Sequence, residues 1–398
     1  GQTKYVCEAP LDTGKFNIVT MGGAMEHESY EPVLTEKYGQ DWVIRPVKGY
    51  GDQQVLRQMI YQYKPDIIWF MTDPRFYEWL WHMEDEIRSF APLVYYHVWD
   101  NYPYPHFNKP YYMSNDKICT ISKVTSDIVQ TVAPDVEEQY IPHAVDSEIF
   151  NKFSGLQNKK AIQTLRDENG FGDKFVFFWN NRNARRKLSG TVVWWFKDVL
   201  DVIGHDKAML LMHTDIDDHH GQPLNKLVET LGLDDQVKFS TAKVDPRQLA
   251  GLYNMADCTI NIADAEGFGL ATLESLSCET PIIVNMTGGL QEQVTDGENW
   301  FGIGLEPVSK AVIGSGACHA IYEDRVSQKQ FVDACVEMFN MSKEEREALG
   351  QQGREHTLKN YNFKDFNEKW VNCMLDLYEK HGSWETRKNY SNWRMDTL

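Results

Sequence analysis

The chain has no apolar run near the ~20 residues needed to span a bilayer. No charged-then-apolar segment follows its first residue, Gly1. Paired cysteines are missing as well. The seven present (Cys7, Cys119, Cys258, Cys278, Cys318, Cys335 and Cys373) are scattered and form no C-x-x-C. That excludes a zinc ribbon and a disulfide framework, and reduced thiols in a cytoplasmic setting are expected. There is no G-x-S-x-G, no Walker loop and no H-E-x-x-H. Positive charge is scarce: 40 Lys and Arg stand against 58 Asp and Glu, a net charge of −18. Residues 1–150 carry 12 basic against 22 acidic side chains and no basic amphipathic helix. A nucleic-acid partner normally calls for a basic stripe, and an anionic membrane for a basic face. Neither nucleic acid nor a membrane surface is therefore an expected partner.

What the chain does have is length, 398 residues, and an ordinary globular composition with 42% hydrophobic residues and no low-complexity tract. That suits two domains. The first half alternates strand and helix patterns: Lys15–Thr20 runs into Gly22-Gly23, Trp42–Val47 is a second strand, and Gly51–Tyr63 is helical. A buried strand, PDIIWFM, follows. Then come a helix over Phe76–Ser89 with Phe76, Leu80, Met83 and Ile87 as its stripe, and strands at Leu93–Val98, Asp116–Ser122 and Gln139–Ile141. Residues 151–173 read as a polar linker. The grammar then restarts with strands at Lys174–Trp179, Ala208–His213, Val237–Ser240, Cys258–Ile262 and Pro281–Asn285. Helices fall at Gly190–Ile203, Pro223–Leu231, Pro246–Met255 and about Asn362–Lys380. Repeated β-α-β units imply doubly wound parallel sheets in two Rossmann-like domains facing a cleft. The expected divisions are 1–155, 156–361 and a C-terminal helix and tail, 362–398.

The most informative stretch is residues 256–297, ADCTINIADAEGFGLATLESLSCETPIIVNMTGGLQEQVTDG. Glu266 and Glu274 stand eight positions apart. Gly267-Phe268-Gly269 after Glu266 reads as a hinge, and Leu270–Ser277 as a helix with Leu270, Leu273, Leu276 and Ser277 on one face. Glu266 then lies in the loop before the helix and Glu274 in its second turn. A helix N-terminus offers free N–H groups and partial positive charge, a seat for phosphate. Two acids flanking it could hold hydroxyls.

This block resembles the E-x7-E segment of the retaining glycosyltransferases of family 4, which have the GT-B fold. Residues 160–380 follow the family well; 1–150 follow it mainly in grammar. Strand FVFFW runs into NNRNARRK, which is similar to the family's "gR…KG" element on Arg182 and Lys187. Leu188 stands where the family usually has Gly, and Arg185 and Arg186 are further candidates. The resemblance implies that Arg182 and Lys187 hold a diphosphate and neutralise the leaving phosphate. It implies that Glu274 binds the ribose and that Glu266 binds hydroxyls of the transferred sugar, helped by the backbone of Gly267, Phe268, Gly269 and Leu270. Gly22 and Gly23 resemble the N-terminal glycine loop near the donor's phosphates, and the Thr287-Gly288-Gly289 turn can also meet the donor. His97, at the end of LVYYH, is a catalytic or acceptor-side candidate, with Trp99, Asp100 and Tyr102 beside it. The terminal helix crosses back to the first domain in such folds.

Ser122 reads as a helix cap, and His143 and Asp146 lie in a segment that is structural rather than catalytic. TDIDDHH (Thr214–His220) carries a D-x-D and two histidines, but such metal sites belong to the other glycosyltransferase fold. The run is read as a solvated loop, and no metal or other cofactor is expected. The expected co-substrate is a UDP- or GDP-linked sugar and the expected acceptor a saccharide or glycan. The alternatives are transfer to a modified nucleic-acid base, and a protein that binds a nucleotide-sugar without turning it over. The charge balance predicts that duplex DNA binds weakly in ~150 mM salt, where counterion release has already eroded affinity. A filter-binding titration reaching submicromolar affinity there would contradict this.

Overall fold

The computed structural model describes residues 2–99, 101–316 and 318–393. The chain divides into two compact units. Among the described residues, one comprises 2–99, 104–143 and 364–393; the other comprises 101–103, 144–316 and 318–363.

The first unit holds strands β1 (Ile18–Gly22), β2 (Val33–Thr35), β3 (Gly39–Pro46), β4 (Ile68–Thr72), β5 (Leu93–His97), β6 (Lys117–Thr120) and β7 (Glu138–Tyr140). They form two ladders rather than one. β4-β5-β6-β7 is wholly parallel. In β1-β3-β2, β1 runs parallel to β3 and β2 antiparallel. β5 is buried along its whole length, as a strand covered on both faces must be. The helix expected over Phe76–Ser89 is broken into a 3-10 turn, Pro74–Phe76, and two short helices, Glu78–Trp81 and Glu84–Arg88. Leu80, Met83 and Ile87 are buried as the stripe requires, but Phe76 is exposed. The breaks let Tyr77 and Trp81 both pack edge-on against Phe70, with ring centroids 5.2 Å away in each case.

The terminal helix, Phe363–His381, buries Phe366, Trp370, Cys373, Met374 and Leu377, the apolar positions of its helical period. Trp370 meets the rings of Trp69 and Tyr96 at 6.0 and 4.8 Å. The helix from Lys364 on is thus part of the first unit's core.

The second unit begins its sheet with β8 (Phe175–Asn180), β9 (Ala208–His213), β10 (Val237–Ser240), β11 (Cys258–Asn261), β12 (Ile282–Asn285) and β13 (Gly302–Leu305). All are parallel in the order β10-β9-β8-β11-β12-β13. The order reverses between β8 and β11. In doubly wound sheets ligands bind outside the carboxyl ends of the strands at that switch point. The polar stretch 151–173 is not an irregular linker: Leu156–Glu168 is a helix with no buried residue. It packs on helix Pro246–Met255, where Arg166 donates to the Met255 carbonyl (2.6 Å); Arg166 also donates to the Gly172 carbonyl in the turn that follows its own helix (3.0 Å). Nothing in the sequence pattern above anticipates the antiparallel hairpin of β14 (Ser309–Ser315) and β15 (Cys318–Arg325).

All seven cysteines are buried. Among the described residues no helix is long and apolar enough to cross a membrane. Truncating Trp370 should cost about 3–5 kcal/mol, as large core deletions do. Trp194→Ala, at a site 53% exposed, should cost less than ~0.5 kcal/mol. Urea unfolding followed by circular dichroism compares the two.

Candidate functional site

The loops leaving β8 and β11 at the switch point carry the candidate residues. After Asn180 the chain makes a loop, then a 3-10 turn, Arg185–Lys187, and enters helix Ser189–Ile203. Leu188 joins turn to helix at φ 56°, ψ 33°. That is the left-handed region that the glycine usual at this place would adopt without steric cost. Asn183, fully buried, holds the loop in shape. Its amide donates to the carbonyls of Ile216 (3.3 Å) and Gln222 (2.7 Å), and its Oδ1 accepts from Ser189 (2.6 Å). A Cβ on Gly221 would lie 2.0 Å from that Oδ1, so only glycine fits there.

The β11 loop is held from the other side. Gly269 has φ +88°, and a Cβ there would meet Leu290 at 2.6 Å. Gly289 passes so close to Phe268 that a Cβ would meet its Cα at 2.6 Å, and its N–H donates to the Glu266 carbonyl (3.1 Å). Buried Gln293 donates to the carbonyls of Phe268 (2.7 Å) and Gly269 (3.1 Å). The helix Leu270–Ser277 then starts without a side-chain cap. These contacts put the Glu266 carboxylate against the Lys187 ammonium, each residue only 8% exposed. Asn261, the last residue of β11, also donates to that carboxylate (3.3 Å). Burial alone would raise the Glu266 pKa; the charges of Lys187 and Arg186 and the hydrogen bonds bring it below the usual value.

Glu274 lies one and a half turns further on and has a different environment. It accepts from the Tyr253 hydroxyl (2.8 Å), which in turn accepts from the Asn180 amide (2.8 Å). Burial pushes Glu274 up to about 7, with the tyrosine bond opposing the shift. Asn180, Asn261 and Asn285 each end a strand of this sheet. A polar amide closing an apolar strand was the available signal, and the sequence reading did not use it.

The four cations of the β8 loop have different partners. Arg182 is exposed and bonded to Asp218 (Nε–Oδ2 2.6 Å) and to His220 (2.7 Å). Arg185 makes a two-pronged pair with Glu323 of β15 (2.6 and 2.9 Å). Arg186 donates to the Ala265 carbonyl (2.6 Å). Lys187 holds Glu266. Thus Asp218, in the run read as a solvated loop, faces Arg182. Asp218, His219 and His220 are the one group among the described residues whose ligand atoms are close enough to share a metal ion. Asp215 and Asp217 are exposed.

β15 brings acids to the same end of the sheet. Glu323 and Asp264 are both 2% exposed, and Asp264 is pushed up to about 6 by burial and by the Glu323 charge. Asp324 accepts from Thr287 (2.9 Å).

In the first unit the expected residues are occupied by packing. His97 is fully buried. The Tyr95 hydroxyl donates to the Thr72 carbonyl and so accepts from His97 Nδ1–H (2.8 Å), while Nε2 accepts from Tyr112 (2.6 Å). Burial takes its pKa to about 3. A neutral ring with both nitrogens engaged is a satisfied strand-end histidine, and the catalytic and acceptor-side role expected for it has no free atom here. Trp99 is buried, its backbone carbonyl accepting from Thr125 (2.8 Å). Tyr102 belongs to the second unit, where its carbonyl accepts from the Tyr322 N–H (2.6 Å) on the hairpin. It is therefore not among the first unit's residues, as its acceptor-side placement presumed. Asp100 lies outside the described residues. The Gly22 carbonyl accepts from Val47 (3.0 Å), and a Cβ on Gly23 would meet the Gly49 carbonyl at 2.4 Å. That close approach requires glycine at 23, whereas a Cβ on Gly22 would meet only the Ile44 side chain, at 3.1 Å. Ser122 caps its helix by accepting from the Thr125 N–H (3.1 Å). His143 is buried on Tyr96, and Asp146 accepts from the N–H of Glu148 (3.1 Å).

Residues 199–356 match the family model described as "Glycosyl transferases group 1". Sucrose-phosphate synthase from Thermosynechococcus elongatus superposes with a TM-score of 0.74 at 15% identity, over 96% of this chain and 94% of that one. The fold is GT-B. Anabaena Alr3699/HepE, solved in complex with UDP-glucose, has a TM-score of 0.63 at 14% identity over 84% and 86% of the two chains. A D-inositol 3-phosphate glycosyltransferase of Thermomonospora curvata is 38% identical over 91 residues, 23% of this chain. The match spans only 21% of that relative's length.

The raised pKa of Glu274 has a sign that can be checked. Its folded value, about 7, lies above the ~4.3 of an unfolded glutamate. The folded state therefore holds the extra proton between these values, and stability falls as pH rises through that window. Glu274→Gln should gain in melting temperature relative to wild type from pH 5 to pH 7.5. Thermal melts across that range would show a flat difference if Glu274 titrates normally.

Proposed function

We propose that this protein is a retaining glycosyltransferase that moves a sugar from a nucleotide-sugar to a hydroxyl acceptor without a metal ion. The observation that carries the reading is the buried Lys187–Glu266 pair beside the uncapped start of helix Leu270–Ser277. A cation, a carboxylate and free helix N–H groups converge there at the switch point of a parallel sheet. The group 1 match over residues 199–356 and the UDP-glucose held by the Anabaena neighbour support a nucleotide-sugar donor. The named activity of the Thermomonospora relative supports a polyol or saccharide acceptor.

In this reading the diphosphate enters between Lys187 and the helix N-terminus, with a guanidinium of the same loop beside it. Lys187 turns from Glu266 toward charge that grows on the leaving phosphate, the interaction that lowers the barrier. Glu266, released, accepts from hydroxyls of the transferred sugar. Glu274, titrating near neutrality, can accept from or donate to the ribose. The acceptor attacks from the face that the phosphate leaves, and the leaving phosphate oxygen takes its proton. No protein nucleophile is needed, and the anomeric configuration is retained.

Two measurements test this. In EDTA, one of UDP, GDP, ADP or dTDP should raise the melting temperature, by about 2.7 kcal/mol of stabilisation at a hundredfold excess over Kd. No shift with any of the four, or a shift only with Mg²⁺, counts against the site. Glu266→Gln should cut turnover with the matching sugar while Glu274→Ala weakens the nucleotide itself. An inverted product anomer by proton NMR would rule out the front-face route.

A further inference from the structure

The two faces of the β1–β3 ladder in the first unit differ in what they carry. Ile18, Thr20, Trp42 and Ile44 share the face covered by helix Gln2–Leu11, where Trp42 packs with Cys7 and Leu11 and donates to Thr20 (3.2 Å). Val19, Met21, Val43 and Arg45 take the other face. Met21 and Arg45 are partners in the parallel ladder, so they stand side by side at its carboxyl end. Gly51 passes over Met21: a Cβ there would lie 2.9 Å from the methionine sulfur and 3.8 Å from Cζ2 of Trp79. The indole N–H of Trp79 is buried and has no acceptor among the described residues.

Arg45 is half-buried. Among the described residues it is the one half-buried lysine or arginine of the first unit with no ion pair, hydrogen bond or ring contact. Acids are not scarce, since residues 1–150 hold 22 of them, and Arg57, Arg75 and Arg88 each pair with one. Asp52, in the loop after β3, is engaged as the cap of helix Gln53–Tyr63, accepting from the Val55 N–H (2.9 Å). Lys48 of the same loop is exposed and also unpaired. A guanidinium drawn partly out of water loses hydration and here gains no opposite charge. It stands at the carboxyl end of its strands, where parallel sheets of this kind receive ligands.

We propose that Arg45 receives an anionic group of the acceptor, so that the hydroxyl compound being glycosylated carries a phosphate or a carboxylate. This rests on the glycosyltransferase reading above. The guanidinium offers a planar fork that matches two oxygens of either group. Lys48 adds charge at the rim, and the Trp79 N–H is a second donor in need of an acceptor. A neutral acceptor would leave these groups unpaired, which is how such a site rejects it.

The test compares the full wild-type chain with Arg45→Ala, Arg45→Lys and Lys15→Ala. Lys15, exposed and unpaired ahead of β1, controls for the loss of one charge. Inorganic phosphate and acetate are titrated into each protein at constant ionic strength, and melting temperature is read. One or both anions should stabilise wild type and Lys15→Ala more than Arg45→Ala, with Arg45→Lys between. Phosphate alone assigns a phosphorylated acceptor, acetate alone a carboxylated one. An Arg45→Ala protein that responds as wild type does overturns the site. Glucose, glucose 6-phosphate, glucuronate, inositol and inositol phosphate are then offered with UDP-glucose and GDP-mannose, and glycosylated product is measured by mass spectrometry. Charged acceptors should be preferred, and Arg45→Ala should raise KM for the preferred one at least tenfold, as loss of a charged hydrogen bond does. A neutral acceptor preferred over its charged counterparts, or a KM within twofold of wild type, overturns the proposal. If the Arg45-dependent shift is present and no sugar is transferred, the anion site stands and the glycosyltransferase reading fails instead.

Discussion

Taking a lysine and a glutamate out of water is costly, and the second unit does so at Lys187 and Glu266. Such a pair breaks even only when geometry and further hydrogen bonds are good, and removing one partner leaves a buried charge uncompensated. Much of the local architecture serves that geometry. Asn183 fixes the lysine's loop, and Gly221 makes room for Asn183. Gly269 and Gly289 allow the glutamate's loop to fold tightly, and Gln293 fastens it. A hydrophobic pair of similar volume would pack with less cost. Retaining ions here makes sense where a third charge, the ligand's, is to be received.

The surrounding acids fit the same view. Glu323 and Asp264 are buried beside this site, and each would repel a diphosphate if left bare. Arg185 neutralises Glu323, and Arg325 lies within 3.8 Å of Asp264. The hairpin that supplies Glu323 and Arg325 thus belongs to the electrostatics of the site, although it lies outside the sheet. A chain of net charge −18 can present a locally cationic loop in this way without a basic surface.

The second unit was legible because its strands are covered on both faces. FVFFW and AMLLM are continuous apolar runs too short for a buried helix, and Ala208–His213, Val237–Ser240, Pro246–Met255 and Leu270–Ser277 fall where the pattern placed them. The direct pairing of Lys187 with Glu266 was not legible: the sequence pattern assigns each residue its own group of one ligand, the lysine a diphosphate and the glutamate sugar hydroxyls. Other features depend on contacts far apart in sequence. His97 looks the same in sequence whether or not Tyr95 and Tyr112 occupy its nitrogens. Leu156–Glu168 is mostly polar and none of its residues is fully buried, so no strong apolar stripe marked it. The partner of Arg182 lies 36 residues away and that of Arg185 lies 138 away. No local rule distinguishes those arginines from Arg186.

The central claim is that Lys187 and Glu266 pair in order to exchange partners with a ligand, and not merely to hold two loops together. Calorimetric titration of the stabilising nucleoside diphosphate into Lys187→Ala and Glu266→Gln tests it directly. The account predicts that Lys187→Ala weakens binding at least tenfold while Glu266→Gln, which frees the lysine, binds as tightly as wild type or more so. Equal weakening in both variants would mark a pair that only supports the fold, and would contradict the account.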